Sequence, residues 1–454
     1  MSLLAALPKI LEESKIEYDE AKASNFIVKE IFSENKDEPL NILAKGDNLS
    51  FIKYLIEKKE LNEKLKLVYI DPPFFSQADY GMNIEFKLEK ENTKVKKKAY
   101  TDIWESGMEG YLKMLCIRLL GVKDLLAEDG CLWVHLDWHS VHYVKILMDE
   151  IFGEKNFINE VIWQYKSGGT SKRHFSRKHD TLLFYAKNSD YSFNPQQEKS
   201  YNRGLKPYRF KGVNEYRDDL GWHTLVNMKD VWQIDMVGRT AKERTGYATQ
   251  KPEALIERII ESCTQPGDYC ADFFAGSSTL ATAAFKLNRN WICCDMGNMA
   301  IITSLSRLAA NHMKFSFCEE ERLNEISDSS KNIIENIKNS RINETTDLIQ
   351  IELFDFKPEL IFTKDLNSKD RKTMEMVLKE DPFLFVEYWS VDYKYDGTVH
   401  RPMEVFMKSS KGITRKSKTL ITDSKKISIR LMDSFGTSYH KIIDLERRLD
   451  DENK

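Results

Sequence analysis

The chain lacks the cysteine arrangements that organise small or metal-bound folds. Its seven cysteines (Cys116, Cys131, Cys263, Cys270, Cys293, Cys294 and Cys318) contain no C-x-x-C pair and are odd in number, which argues against a disulfide framework and a structural zinc site. No run approaches about 18 uninterrupted apolar residues, so no membrane-spanning helix is expected. The opening MSLLAALPKILEES has a short apolar stretch without a basic flank and does not read as a targeting segment. There is no G-x-x-x-x-G-K-[ST], which removes the commonest triphosphate-cradling loop. No internal repeat of fixed period stands out. A strong charge of either sign is also absent: the formal net charge is -3 over 454 residues, so whole-chain electrostatics neither favour nor oppose a polyanionic partner. A protein of the reducing cytoplasm, with no membrane contact, is the expectation.

What is present is a rhythm of strands and helices. KLVYI and CLWVHLD read as buried strands, and SVHYVKILMDEIFG as an amphipathic helix. LSFIKYLIEKKELNEKL reads as a helix, and MEGYLKMLCIRLLGVKDLLAEDG as another that stops at Gly130. Beyond Gly267 the rhythm returns with DYCADFF, STLATAAFKLN and NWICCDM. Such alternation predicts an α/β fold with one mainly parallel sheet covered by helices on both faces. Ligands of open α/β sheets bind beyond the carboxyl ends of strands. Three strand ends therefore draw attention: Asp71-Pro72-Pro73-Phe74, the small-residue loop DFFAGSST (Asp272 to Thr279), and Asp295, 23 positions beyond Asp272. A carboxylate at that interval after such a loop suits a ribose hydroxyl pair.

The paired prolines have a chemical use. Proline offers a fixed φ and a free carbonyl without an N–H. Beside Asp71 it forms a rigid, acceptor-only platform suited to an amino group. An exocyclic base amine needs such help, because its lone pair is delocalised into the ring, and Phe74 offers the base a flat face.

These motifs resemble those of amino-methylating DNA methyltransferases. DPPF resembles their catalytic motif and DFFAGSST their S-adenosylmethionine motif, in the permuted order called the beta arrangement. NILAKGDNLSFIKYL, VHLDWHSVHYVKILMDEIFGEKNFINEVIW and KERTGYATQKPEALIERII resemble further segments of adenine-specific enzymes akin to the modification (Mod) subunits of type III restriction systems. Two departures stand in the cofactor loop, where the family commonly has Asp-Pro-Phe-x-Gly-Ser-Gly-Thr: Phe273 replaces the proline and Ser278 the second glycine. The resemblance implies a class I, Rossmann-like methyltransferase sheet with an inserted target-recognition region and a small C-terminal α+β domain. It implies catalysis by Asp71, Pro72, Pro73 and Phe74. Cofactor binding would fall to Asp47, Lys251, Asp272, Phe273, Phe274, Ala275, Gly276, Ser277, Ser278 and Asp295, with Asp47 near the adenine end and Lys251 facing the methionine carboxylate. S-adenosylmethionine would be consumed and S-adenosylhomocysteine released. Cytosine-N4 methylation, which the family usually pairs with serine in place of Asp71, and a catalytically silent nucleic-acid-binding homologue are the competing readings.

The implied organisation is a helical extension (1–40), a catalytic half (41–163), a non-sheet target-recognition insertion (164–245), a cofactor half (246–325), and a linker with an accessory domain (326–454). Within the insertion, Gln164 to Arg217 holds twelve Lys or Arg against four Asp or Glu, with ten Tyr or Phe interleaved. Basic groups complement phosphates and aromatic faces support bases, so Lys166, Lys172, Arg173, Arg177 and Lys178 are candidate nucleic-acid contacts. Ser167, Gly168 and Gly169 suggest a mobile loop beside them. The partners implied are DNA, a restriction endonuclease subunit and a second copy of the chain. His139 and His142, three apart near Asp137, have the wrong spacing for a helical metal site, and no metal is expected. The stretch SDSSKNIIENIKNS reads as polar linker, followed by an antiparallel unit with a turn at Asp396-Gly397.

Overall fold

Strands covered on both faces carry apolar residues at consecutive positions, and LKLVYI, CLWVHL and WICCD have that character. In the computed structural model, which describes residues 3–33, 39–88, 92–167, 169–321, 329–343, 346–359, 367–409 and 412–445, these segments lie together in one sheet. Helix α1 (Leu3–Glu20) and β1 (Phe26–Phe32) precede β2 (Ile42–Lys45), α2 (Asn48–Glu57) and β3 (Leu65–Ile70). An antiparallel pair, β4 (Asp79–Lys87) and β5 (Asn92–Thr101), leads to α3 (Gly107–Leu125), β6 (Leu126–Leu136), α4 (Val141–Phe152), β7 (Phe157–Gln164) and β8 (His179–Ala186). Three short strands, β9 (Gln197–Tyr201), β10 (Glu215–Asp218) and β11 (Gly221–Asn227), form a separate small sheet before β12 (Val231–Gln233). Then come α5 (Glu253–Cys263), β13 (Tyr269–Asp272), α6 (Thr279–Lys286), β14 (Asn290–Asp295), α7 (Asn298–Ala310) and β15 (Phe315–Glu320).

The main sheet runs β1-β15-β2-β14-β13-β3-β6-β8-β7-β12. From β15 to β6 all neighbours are parallel, while β8 is antiparallel to both β6 and β7. Chain segments more than 130 residues apart thus become adjacent, since β13 and β14 sit between β2 and β3. Alternation within each strand feeds two cores. Leu67, Tyr69, Cys131 and Trp133 pack with α5, α6 and α7 on one face. Val68, Ile70, Leu132 and Val134 pack with α1, α2, α3 and α4 on the other.

Several expectations are corrected. The first 40 residues are not wholly helical, because Phe26–Phe32 extends the sheet beside β15. The helix from Asn48 stops at Glu57, and Glu60 and Glu63 take positive φ in the turn that follows. Gly130 does not end a helix: α3 ends at Leu125 and runs straight into β6. The glycine is needed there because a Cβ would lie 2.8 Å from the carbonyl oxygen of Leu65 on the neighbouring strand. The insertion is not free of sheet either, since β8 and β12 both join the main sheet. Phe184 and Tyr185, counted among its aromatics, are buried core residues. The polar stretch read as linker contains β16 (Ile333–Asn343), which pairs with β17 (Thr346–Phe356). Its polar side chains alternate with apolar ones too sparsely to signal a strand. Gly168 lies outside the described residues.

The C-terminal unit continues through α8 (Ser368–Glu380), β18 (Val386–Asp392), β19 (Glu404–Met407), β20 (Leu420–Thr422), β21 (Lys426–Asp433) and β22 (Ser438–Asp444). Its sheets are β16-β17-β20 and β19-β18-β21-β22. It is docked firmly: Phe385 packs on Phe86 at 5.0 Å, and buried Arg430 pairs with buried Glu30 of β1 at 3.0 Å. The turn after β21 reaches the catalytic half, where Lys97 donates to the Phe435 carbonyl at 2.8 Å. Among the described residues no helix is long and apolar enough to cross a membrane.

Gly436, in that turn, has φ +79°, and a Cβ there would lie 2.4 Å from Cβ of Asn298 at the start of α7. Gly436→Ala is expected to destabilise the chain by about 2 kcal/mol or more, from left-handed strain and overpacking together. Scanning calorimetry should show a lowered unfolding midpoint.

Candidate active site

The carboxyl ends of β2, β3, β13 and β14 lie on one edge of the sheet because these strands are parallel. The residues after them surround a cavity of about 410 Å³. Its lining includes Gly46, Asp71, Pro72, Pro73, Phe74, Lys251, Asp272 to Ser277, Asp295 and Gly297, with Tyr80, Ala99 and Tyr100 of the β4–β5 pair as a further wall. Motifs dispersed over some 250 positions of sequence are therefore gathered at one place.

Asp71 holds the centre. Its Oδ2 accepts from the Lys251 ammonium, whereas its buried Oδ1 has no hydrogen-bond partner. Lys251 is thus directed at the carboxylate of Asp71. In the folded chain this partner is an anion of the protein's own. Phe74 lines the cavity and packs against His135, with ring centroids 5.7 Å apart. Buried His135 is in turn held by Tyr69 at 2.9 Å and Asp180 at 3.1 Å, so the aromatic platform rests on a hydrogen-bonded base.

The cofactor-like loop departs from the motif it resembles at Ser278 and Phe273, and both are held in place locally. Ser278 adopts φ 53° and ψ 44°, the left-handed conformation that suits glycine. Its hydroxyl meets that of Ser304 at 2.7 Å. Phe273 is buried against Phe51, and its carbonyl accepts from the Asn48 side chain at 2.8 Å. Gly276, at φ +51°, faces Tyr247, and a Cβ there would approach the tyrosine ring to 3.1 Å. Asp295 accepts from the N–H of Gly276 at 2.8 Å and of Gly297 at 2.7 Å, bracing the loop after β13 against that after β14. Asp272 accepts from the Phe274 N–H at 2.9 Å. Burial pushes the carboxyls of Asp272 and Asp295 above the ordinary range, Asp272 well above it, with Asp71 and Asp295 repelling its charge. Asp47 does not line the cavity: its oxygens receive the Ser50 N–H at 3.0 Å and Arg118 at 2.9 Å. It acts on the site through Arg118 and the adjacent Asn48, which do line it.

Two residues escaped sequence reasoning. Asp102, 1% exposed at the end of β5, gathers the loop that follows the prolines. Its carboxylate accepts from the backbone of Phe74 (3.1 Å), Phe75 (3.0 Å) and Ser76 (2.6 Å), from the Ser76 hydroxyl (2.7 Å) and from the Trp104 indole (3.0 Å). Successive N–H groups around one anion form a nest. It offsets the strain of Phe75 and Gln77, at φ 66° and 55°. Nothing in its spacing announced this. Arg307 did leave a trace, as the lone charge in the apolar helix NMAIITSLSRLAA. It bonds the Ser277 carbonyl at 3.0 Å and Glu253 at 2.6 Å, tying the cofactor-like loop to the segment carrying Lys251.

The basic loop between β7 and β8 leaves the sheet at the same edge. Lys172 and Arg173 are exposed, and Arg177 lies 3.7 Å from the Trp138 ring centroid. Lys166 pairs with Asp235 at 3.4 Å, and Lys178 donates to the carbonyls of Lys166 and Ser167. Among the described residues no group of three or more His, Cys, Asp or Glu is arranged to hold a metal ion.

Residues 65–304 match a protein family described as DNA methylase (N6_N4_Mtase). The type II methyltransferase M.EcaI of Enterobacter cloacae is 25% identical over 334 residues, covering 60% of this chain and 70% of that protein. The DNA adenine methyltransferase YhdJ of Escherichia coli (strain K12) is 25% identical over 263 residues, covering 56% of this chain and 80% of that protein. Among solved structures, the PvuII DNA methyltransferase, named as cytosine-N4-specific, is similar with TM-score 0.40 and 18% identity over 60% of this chain and 89% of that one.

Removing the Asp102 carboxylate leaves buried donors unsatisfied at about 1–3 kcal/mol each. Asp102→Ala is expected to lower the thermal midpoint by several degrees and to raise protease sensitivity around residues 72–78. Asp102→Asn, which keeps one acceptor oxygen, should fall between it and the parent.

Proposed function

The chain belongs to the N6_N4_Mtase family of DNA methylases, and on that premise we propose that it methylates the exocyclic N6 amine of adenine in DNA, using S-adenosylmethionine. The observation that carries this reading is Asp71: one carboxylate oxygen is held by Lys251, and the other is buried, unpartnered and beside two prolines that offer only acceptors. A buried acceptor without a donor is costly unless a ligand supplies one. An amino group supplies two N–H donors, one for Asp71 Oδ1 and one for the Pro72 carbonyl. Held so, its nitrogen is drawn towards a tetrahedral geometry that frees the lone pair. Phe74 offers the base a face, and a base reaches this cavity only by leaving the duplex stack. Asp71 orients the amine, and proton loss follows once the methylated nitrogen is cationic, so no strong base is required.

The cavity fits the methyl donor. Asp71, Asp272 and Asp295 give it an acidic lining suited to a ligand with sulfonium and ammonium charges, and Gly276 and Gly297 let the backbone itself form part of the wall. Asp295 would receive the ribose hydroxyls, and Asp272 to Gly276 would line the methionine part. When bound, this donor supplies an electrophilic methyl group and leaves as S-adenosylhomocysteine. Adenine rather than cytosine is supported by aspartate at position 71, where the resemblance associates serine with cytosine. The likeness to an enzyme named for adenine methylation supports it too.

Asp71→Ala should lower single-turnover methyl transfer by about 100-fold or more while donor affinity stays within a few fold, because the lost bond acts on the reacting nitrogen. Phe74→Ala should also slow transfer, and Phe74→Tyr should retain it. Nucleoside analysis of the product DNA is expected to show N6-methyladenine; N4-methylcytosine would overturn the assignment, and full activity in Asp71→Ala would remove Asp71 from the chemistry.

A pH dependence follows from the buried carboxyls. Asp272 and Asp295 have raised pKa values in the free protein, and a cationic, hydroxyl-bearing ligand favours their ionised forms. Binding should therefore release protons, and donor affinity should rise as pH climbs from the ordinary aspartate range through the raised values. Calorimetry in buffers of different ionisation enthalpy should detect that release; proton uptake would contradict it.

A further inference from the structure

Among the described residues Phe175 is 98% exposed, while the next most exposed large hydrophobic, Phe354, is at 74%. Single exposed apolar residues are ordinary on protein surfaces. What sets this one apart is its place and its neighbours. It stands in the loop between β7 and β8, among Lys172, Arg173 and Arg177, and its ring has no ring partner among the described residues. β8 is antiparallel to β6, and Leu136 at the carboxyl end of β6 is paired with Thr181 near the start of β8. The loop therefore rises from the edge that carries Asp71. A chain of contacts fixes its base there: Phe74 on His135, His135 to Asp180, and Asp180 to the hydroxyl of Tyr165 at 3.1 Å.

The dimensions match a duplex lying across this edge. β8 is two strands from β3, a lateral offset of roughly 10 Å. Phe175 precedes β8 by four residues, a reach of up to about 13 Å. Both are comparable with the width of the major groove, about 12 Å. A base drawn into the cavity over Phe74 leaves a gap in the stack, and an aromatic ring is the group that refills such a gap with least loss.

We infer that Phe175 is a wedge that enters the base stack where the target base has left, with Lys172 and Arg173 on the flanking phosphates. This rests on the proposed reaction, in which the base leaves the duplex. The ring gains its cover only from DNA, which accounts for its exposure in the free protein. Its neighbour His174 contributes to the loop itself, bonding the Phe175 carbonyl at 2.8 Å. Phe175 acts by holding the substrate open and touches none of the reacting atoms.

The test uses the full chain and a duplex carrying the site found by sequencing DNA methylated by the parent protein. Phe175→Ala should slow single-turnover methylation on the order of tenfold or more, with S-adenosylmethionine affinity unchanged. Phe175→Trp and Phe175→Leu should retain most of the rate. Placing a mismatch opposite the target adenine, which lowers the cost of extrusion, should restore the rate of Phe175→Ala; a merely structural role would not respond to the mismatch. An unchanged rate in Phe175→Ala, or a loss that the mismatch leaves in place, would overturn the wedge while leaving the methyltransferase reading intact. A parent protein that methylates no DNA would overturn that reading and the wedge with it.

Discussion

The site is governed by the repulsion among carboxylates that share one poorly solvated cavity. Asp71, Asp272 and Asp295 end three parallel strands that are neighbours in the sheet or nearly so, and the fold brings them to the same edge. Without compensation such a grouping would protonate or open. Compensation comes from backbone N–H groups of Phe274, Gly276 and Gly297 and from the Lys251 ammonium. The balance is incomplete: Asp71 retains a buried oxygen without a donor. A ligand that brings positive charge and N–H groups completes it, and this is why the cavity suits a sulfonium donor and an amine acceptor together.

Rigidity around that cavity is built from outside it. Asp102 holds the loop after the prolines, Arg307 holds the cofactor-like loop to the start of α5, and Asp47 holds Arg118. Each is a buried or half-buried charge whose partners are mostly backbone groups or a single counter-ion, an arrangement that locks geometry rather than adding much net stability. The β4–β5 wall depends in turn on the C-terminal unit, through Lys97 and the Phe435 carbonyl and through Phe86 and Phe385. The C-terminal unit therefore supports one wall of the cavity.

The loop between β13 and α6 carries two departures from the motif it resembles, and each has its own local support. The left-handed turn at position 278 is required by the geometry between β13 and α6, and serine occupies it at a cost of about 1–2 kcal/mol, offset by the hydroxyl contact to Ser304. Replacing proline with Phe273 exchanges backbone stiffness for an aromatic anchor against Phe51.

Read alone, the sequence determined the α/β class, the parallel core and the three strand ends that line the cavity. Those features are local: continuous apolar runs, 3.6-residue periodicity and strand-ending motifs such as Asp71-Pro72-Pro73-Phe74 are written within a dozen residues. Only the tertiary structure decided that Lys251 meets Asp71, that Asp102 collects five donors, that Asp47 turns away to Arg118, and that β8 and β16 are strands. Each of these depends on which distant segments become neighbours. Polar groups are satisfied by whatever the fold brings within about 3 Å, and no spacing along the chain records that.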